Sequence, residues 1–210
     1  MARDAAATTR PAAPEVRPGH RERLIAAMAA SIEEKGYRET VVADVVRIAR
    51  TSRRSFYEHF EDRDACFLAL FDSTNDALIE YLAAAVRPDL PWEDQVDEAL
   101  AAYLEAMAAR PALWQSFMRE LPALGQGGAA RQRAVIERFA ELLVRLVESG
   151  RREQPELGAH PLTMDMAIII AGGIRELVVI AAEQGRDVRE LRPIAAQTVK
   201  AILSAAVLEA

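Results

Sequence analysis

From residue 20 onward apolar residues return every three or four positions, and that period predicts a succession of helices. Leu24, Ile25, Met28 and Ile32 open the first, which Gly36 ends as a left-handed cap with Tyr37 folded back on its last turn. Thr40 is expected to cap a second, short helix to about Ile48, turning Val42, Val45 and Val46 inward. A third short helix follows over about 52–59. Asp62 caps a long fourth one to about residue 85, with Phe67, Leu70, Phe71, Leu78 and Tyr81 as its inner stripe. The run Arg87-Pro88-Asp89-Leu90-Pro91 breaks the pattern, and helix resumes over 92–109 and again from Pro111. Positions 122–128 read as a glycine-rich loop, and further helices are expected over about 129–149, 162–184 and 191–208.

Alternating runs of β-branched and aromatic residues are missing, while Ala, Leu, Glu and Arg dominate. The expected fold class is therefore all-α, with about nine helices. At 210 residues and 51% hydrophobic, the chain is able to bury a core without disulfides or metals. Residues 1–18, with Pro11, Pro14 and Pro18 among small and charged neighbours, read as a disordered arm without the apolar stretch of a secretory signal. The greasiest segment, 166–180, is interrupted by Arg175 and Glu176 and is too short to span a bilayer, so no membrane partner is expected.

The net charge of −6 argues against a nucleic-acid partner until it is divided along the chain. Residues 1–60 hold 11 Lys and Arg against 8 Asp and Glu, and the remainder holds 15 against 24, so a head of +3 precedes a body of −9. Cys66 is the single cysteine, which excludes an intrachain disulfide and suits a reducing, cytoplasmic setting. Among Ala65, Phe67, Leu68 and Leu70 it reads as a small buried thiol, since a redox role needs exposure and basic neighbours.

The informative stretch runs from Thr40 to Phe60. Two short helices joined by a tight turn cannot bury their own apolar faces, and the helix at about 20–35 supplies the support. The second of the pair opens with Ser52 as cap, followed by Arg53, Arg54 and Ser55. Arginine forks at the start of such a helix suit base edges in a major groove, where guanine accepts two parallel hydrogen bonds. Tyr57 and His59 add donors for phosphates, and Phe56 and Phe60, four apart, anchor the opposite side.

The pair Gly36-Tyr37, Thr40, Ser52, Ser55-Phe56-Tyr57, His59-Phe60 and Asp62-Arg63-Asp64 resemble, without gaps, the signature of TetR-family transcriptional regulators over about residues 20–71. The resemblance implies a three-helix helix-turn-helix DNA-binding domain at 19–64, after the arm at 1–18, and a larger helical ligand-binding and dimerisation domain at 65–210. It places Thr40, Arg53, Arg54, Ser55, Tyr57, His59 and Arg63 against DNA, with Arg63 standing where the family has a lysine that meets backbone phosphate. Ser52 and Arg50 join this candidate set. The turn departs from the family's Ala-Gly-Val-Ser: it reads Ala49-Arg50-Thr51-Ser52, so a side chain stands where a left-handed backbone is wanted. Arg54 also replaces a commonly small residue. Arg50 is either an extra DNA contact or simply solvated.

In the body Tyr103, Met107, Trp114, Phe117 and Met118 supply bulky apolar surface on two successive helices. Such a set lines either a ligand cavity or an ordinary core. Arg110 and Arg119 face either an anion or water. The stretch 166–174 is apolar all round and must be covered on every side, in part by a second copy. Ile194, Val199, Ile202, Leu203 and Val207 give the last helix its apolar face, and the resemblance implies a homodimer through 162–184 and 191–208. The partners expected are a palindromic double-stranded operator and a small-molecule effector that releases it.

Two other classes were weighed. An enzyme has little support: His20, His59 and His160 are scattered, and no zinc-protease motif, nucleophile elbow or phosphate loop appears. No catalytic residue, metal or cofactor is therefore assigned. The other class is a ligand-binding or interaction protein of the same fold that lacks specific DNA binding.

Overall fold

The computed structural model describes residues 19–153 and 161–204. The arm expected at 1–18, His160, and the end of the last expected helix with Val207 lie outside the described residues. Within them every regular element is helical: α1 (His20–Lys35), α2 (Val42–Ile48), α3 (Arg53–His59), α4 (Arg63–Ala85), α5 (Trp92–Ala109), α6 (Pro111–Glu120), α7 (Gly125–Glu153), α8 (Met164–Glu183) and α9 (Arg192–Ser204). None is long and apolar enough to cross a membrane.

The ends of these helices follow from local chemistry. Ser52 Oγ accepts the Ser55 N–H at 3.1 Å and Asp62 Oδ1 the Ala65 N–H at 2.7 Å, so both expected caps are in place. Gly36 ends α1 with φ 81°, as a glycine allows, but its ψ of 164° lies outside the left-handed helical basin. Thr40 is not the cap of α2. Its side chain is fully buried, bonded to Ser31 Oγ at 2.9 Å and donating to the Gly36 carbonyl at 2.8 Å. Val41 takes the cap position instead, and the Asp44 carboxylate reaches back to the Val41 N–H at 3.1 Å.

Two further expectations are corrected. Residues 122–128 are not a loop: Pro122–Leu124 form one 3₁₀ turn and α7 begins at Gly125. Gly128 lies so close to the Leu121 carbonyl that any Cβ there would collide with it, and this tight packing overrides the low helix propensity of the glycines. Tyr81 is 53% exposed, because α4 turns Leu78, Ile79 and Leu82 inward and leaves residue 81 outside.

Three apolar clusters hold the helices together. The first joins α1, Val45, Phe56, Phe60 and the start of α4 to Leu113 and Phe117 of α6, Leu121 just after it and Val135 of α7. The second packs Leu78, Ile79 and Leu82 of α4 against α5, Leu142 and Val178. The third ties Leu100 and Ala140 to Ala167 and Ile170 of α8 and Ala195, Ala196, Val199 and Leu203 of α9. Thus α4 runs unbroken through the expected boundary at 64–65, and Cys66, Phe67, Leu70 and Phe71 belong to the core of the head.

The other side of α8 is open. Ile169 is 66% exposed, and Leu177, Ile180 and Ile194 of α9 stand out beside it. Gly172 and Gly173 have no neighbour within 4 Å of where a Cβ would sit, so none of the described residues packs against them there.

Phe56 is fully buried on a seven-residue helix with little else to hold it. Phe56→Ala is expected to cost about 3–5 kcal/mol, read as a lowered urea midpoint.

Candidate nucleic-acid interface and the cavity behind it

The outer side of α3 is built by what its inner side does. Phe56 and Phe60, with ring centroids 5.7 Å apart, fix the helix against α1, and Arg53, Arg54, Tyr57 and His59 are left exposed. Arg53 and Arg54 occupy the first turn. Arg54 Nε reaches Glu58 Oε1 at 3.2 Å, one turn on, so an acidic side chain that was not singled out in the sequence shares this face. Ser55 Oγ is 3.0 Å from His20 Nδ1, and the His20 ring centroid lies 6.5 Å from that of His59. His20 therefore joins the patch from α1, 35 residues away, a distance over which no local pattern announces it.

The turn before α3 carries the departure noted in the sequence. Arg50 has φ 51°, the single positive value at a non-glycine position among the described residues. The Arg50 and Thr51 N–H groups still close the turn onto the Arg47 and Val46 carbonyls. Arg50 is exposed, as is Ser52 at the start of α3.

Arg63 is placed differently from a bare phosphate contact. Its guanidinium lies 4.3 Å above the centre of the Tyr37 ring, donates to the Thr40 carbonyl at 3.1 Å and contacts Asp64 Oδ1 at 3.3 Å. The Tyr37 hydroxyl donates to the same Asp64 carboxylate. Burial first, and then that hydrogen bond, push the Tyr37 phenol well above its ordinary value, against the opposing charge of Arg63. The four groups bolt the turn after α1 to the start of α4. Thr40 contributes a carbonyl to the bolt, while its own hydroxyl is spent inside.

Behind the head the Tyr37 ring packs on Phe67 with centroids 4.0 Å apart, Phe67 packs on Phe117 at 5.4 Å, and Phe117 on Trp114 at 5.6 Å. This aromatic row leads into a cavity of about 200 Å³ enclosed by α4 to α9. Tyr103, Met107, Trp114, Phe117 and Met118 all line it, as do Trp92, Gln132 and Arg175, which sequence reasoning did not assign to it. The signal for Arg175 was present as a charge inside the greasiest stretch of the chain. Arg110 and Arg119 are absent from the lining, and Arg110 is paired with Glu33 at 2.6 Å. Cys66 is fully buried in the first cluster, and burial pushes its thiol up to about 12, which keeps it protonated and unreactive.

With this geometry in place, similarity to known proteins is informative. Residues 24–70 match the family of bacterial regulatory proteins called tetR. Among solved structures, the fatty acid degradation regulator FadR from Bacillus halodurans superposes with a TM-score of 0.71 at 16% identity, covering 93% of this chain and all of that one. FadR from Bacillus subtilis, in complex with stearoyl-CoA, gives 0.68 at 15% identity over 89% of this chain and 99% of that one. A tetR-family regulatory protein from Rhodococcus RHA1 gives 0.63 at 18% identity over 91% and 100%. No curated protein matches the sequence. Residues 24–70 thus carry the match to the tetR-family model, and the chain as a whole shares the fold of these solved structures.

Arg50 in a left-handed conformation is strained relative to glycine. Arg50→Gly is expected to stabilise the protein by up to about 1 kcal/mol, the relief of strain being partly offset by a more flexible unfolded chain. Chemical denaturation of both proteins checks the sign.

Proposed function

We propose that the chain is a cytoplasmic, homodimeric transcriptional repressor that binds a palindromic operator and leaves it when a small molecule fills the body cavity. The observation that carries this reading is the exposed set Arg53, Arg54, Tyr57 and His59 on a helix anchored from behind by Phe56 and Phe60. In the proposed complex α3 lies in the major groove, Arg53 and Arg54 read base edges, and Ser52, Ser55, Tyr57, His59 and Arg50 hold phosphates. Arg63 is assigned two uses, the bolt to Tyr37 and Thr40, and a phosphate contact through the third of its side chain that stays exposed.

A single helix-turn-helix reads too few base pairs for specificity, and a two-fold dimer doubles the site. The open faces of α8 and α9, with Ile169, Leu177, Ile180 and Ile194, support pairing there. Apolar surface of this kind is what an obligate dimer covers. The head at 19–64 and the body at 65–210 then act as two functional units on one continuous core. For the effector, support comes from the cavity itself and from a structural relative that holds stearoyl-CoA. Release demands that the effector bind the DNA-free arrangement more tightly than the DNA-bound one.

Footprinting on DNA flanking the protein's own gene is expected to show a protected palindrome. A folded dimer that gives no specific complex would instead identify a ligand-binding protein that does not read DNA. On such an operator Arg53→Ala should relax discrimination at one base position in each half-site, by about 1–3 kcal/mol. A uniform loss over all sequences would move Arg53 to the phosphate contacts.

A further inference from the structure

Most polar groups around the cavity are already engaged. The Asn75 amide donates to the Phe71 carbonyl at 2.8 Å, the Gln95 amide to Leu90 at 2.8 Å, and the Trp114 indole to Ala106 at 3.1 Å. The Tyr103 hydroxyl has no hydrogen-bond partner among the described residues, on a residue that is half-buried. Burial raises its phenol to about 12, eased by the nearby positive charge of Arg175, so it stays protonated and is a donor at any physiological pH.

Charge is distributed just as unevenly. Among the described residues no Asp or Glu lines the cavity, whereas two arginines do. Arg151 is neutralised by Glu148 at 2.9 Å. Arg175 has a single ion pair among the described residues, with its chain neighbour Glu176 at 3.6 Å, and that carboxylate is 60% exposed. The Gln132 carboxamide of α7 lies beside the guanidinium, and with its oxygen turned to that side it accepts from the group and orients it without cancelling its charge. The result is an apolar chamber with one under-neutralised cation and one free hydroxyl donor in the same neighbourhood.

We infer that the cavity takes an anionic amphiphile: an apolar body among the aromatic and aliphatic side chains, and a carboxylate received by Arg175 and the Tyr103 hydroxyl. This rests on the effector reading above and names the chemical class of that effector. A partly buried guanidinium such as that of Arg175 binds a carboxylate through parallel charge-assisted hydrogen bonds, which a neutral head of the same length does not offer. A cationic head would meet Arg175 with like charge in a poorly solvated place.

Both tryptophans of the chain, Trp92 and Trp114, line the cavity, so intrinsic fluorescence reports its filling. Full-length protein should be titrated with decanoate, 1-decanol and decylamine, three saturated probes that differ in the head alone. Decanoate is expected to bind at least about tenfold more tightly than decanol, and decylamine more weakly than either. Arg175→Gln should abolish the preference for decanoate over decanol, and Arg175→Lys should keep part of it. Should Arg175→Gln fail to fold, Tyr103→Phe serves, weakening decanoate while leaving decanol unchanged. Decanol binding as tightly as decanoate, a preference that survives Arg175→Gln, or no response to any probe each overturns the anionic class. These outcomes leave the regulator standing if the wild-type footprint is present; a missing footprint removes the regulator whatever the cavity binds.

Discussion

Phe117 touches Phe67 and Phe71 with ring centroids 5.4 and 5.2 Å away, and through those contacts the head and the body share one core. Without them α2 and α3, at seven residues each, would have only α1 and one turn of α4 to rest on. Helices so short have no independent stability, because nucleation costs more than the few hydrogen bonds they close. Their geometry is inherited from the aromatic layer beneath. The same Phe117 is part of the cavity wall, so the core beneath the surface proposed to meet DNA and the chamber proposed to meet a small molecule share one side chain.

What the sequence disclosed depends on how local the cause is. The caps at Ser52 and Asp62, the anchors Phe56 and Phe60 and the unbroken helix from 92 to 109 are set by neighbours within a turn or two, and all of them follow from pattern. The strained position at Arg50 was legible for the same reason: a tight turn wants a residue tolerant of positive φ. Thr40 was misplaced because its hydroxyl is claimed by Ser31, nine residues away, and by the Gly36 carbonyl. His20 beside Ser55, and Arg175 beside Gln132 and Tyr103, are juxtapositions made by folding, and no spacing rule reaches them. The glycines at 125–128 carry a true loop propensity that the packing of Gly128 onto Leu121 overrules.

The opposite charges of the two halves now have a structural setting. Three basic residues of the head, Arg50, Arg53 and Arg54, stand exposed on the first turn of α3 and the turn before it, the surface proposed to meet the DNA polyanion. On the acidic body, many carboxylates are tied up in pairs between helices, such as Asp72 with Arg131 and Asp76 with Arg138, which link α4 to α7. In the proposed complex an acidic body would resist unspecific attraction to DNA, leaving the head to supply the attraction and set the orientation.

In the proposed regulator, coupling between cavity and head would have two physical routes, and their magnitudes differ. One consists of the ion pairs Arg110–Glu33 and Arg38–Glu120, which join the body to α1 and to the turn after it. Their side chains are largely solvent-exposed on at least one partner, and pairs of that kind contribute about 0–1 kcal/mol. The other is the packing of Phe117, where a buried aromatic ring is worth about 3–5 kcal/mol to the fold. A ligand that displaces this wall works against, or with, the larger of the two. From Phe117 the path continues through Phe67 to Tyr37, Arg63 and the Thr40 carbonyl at the threshold of α2. Because α4 is one helix of 23 residues, about 34 Å long, a shift at its body end is carried to its first turn with little loss. Packing is therefore the stronger candidate for the transmission of any effector's signal, and the surface ion pairs trim the balance between the two arrangements.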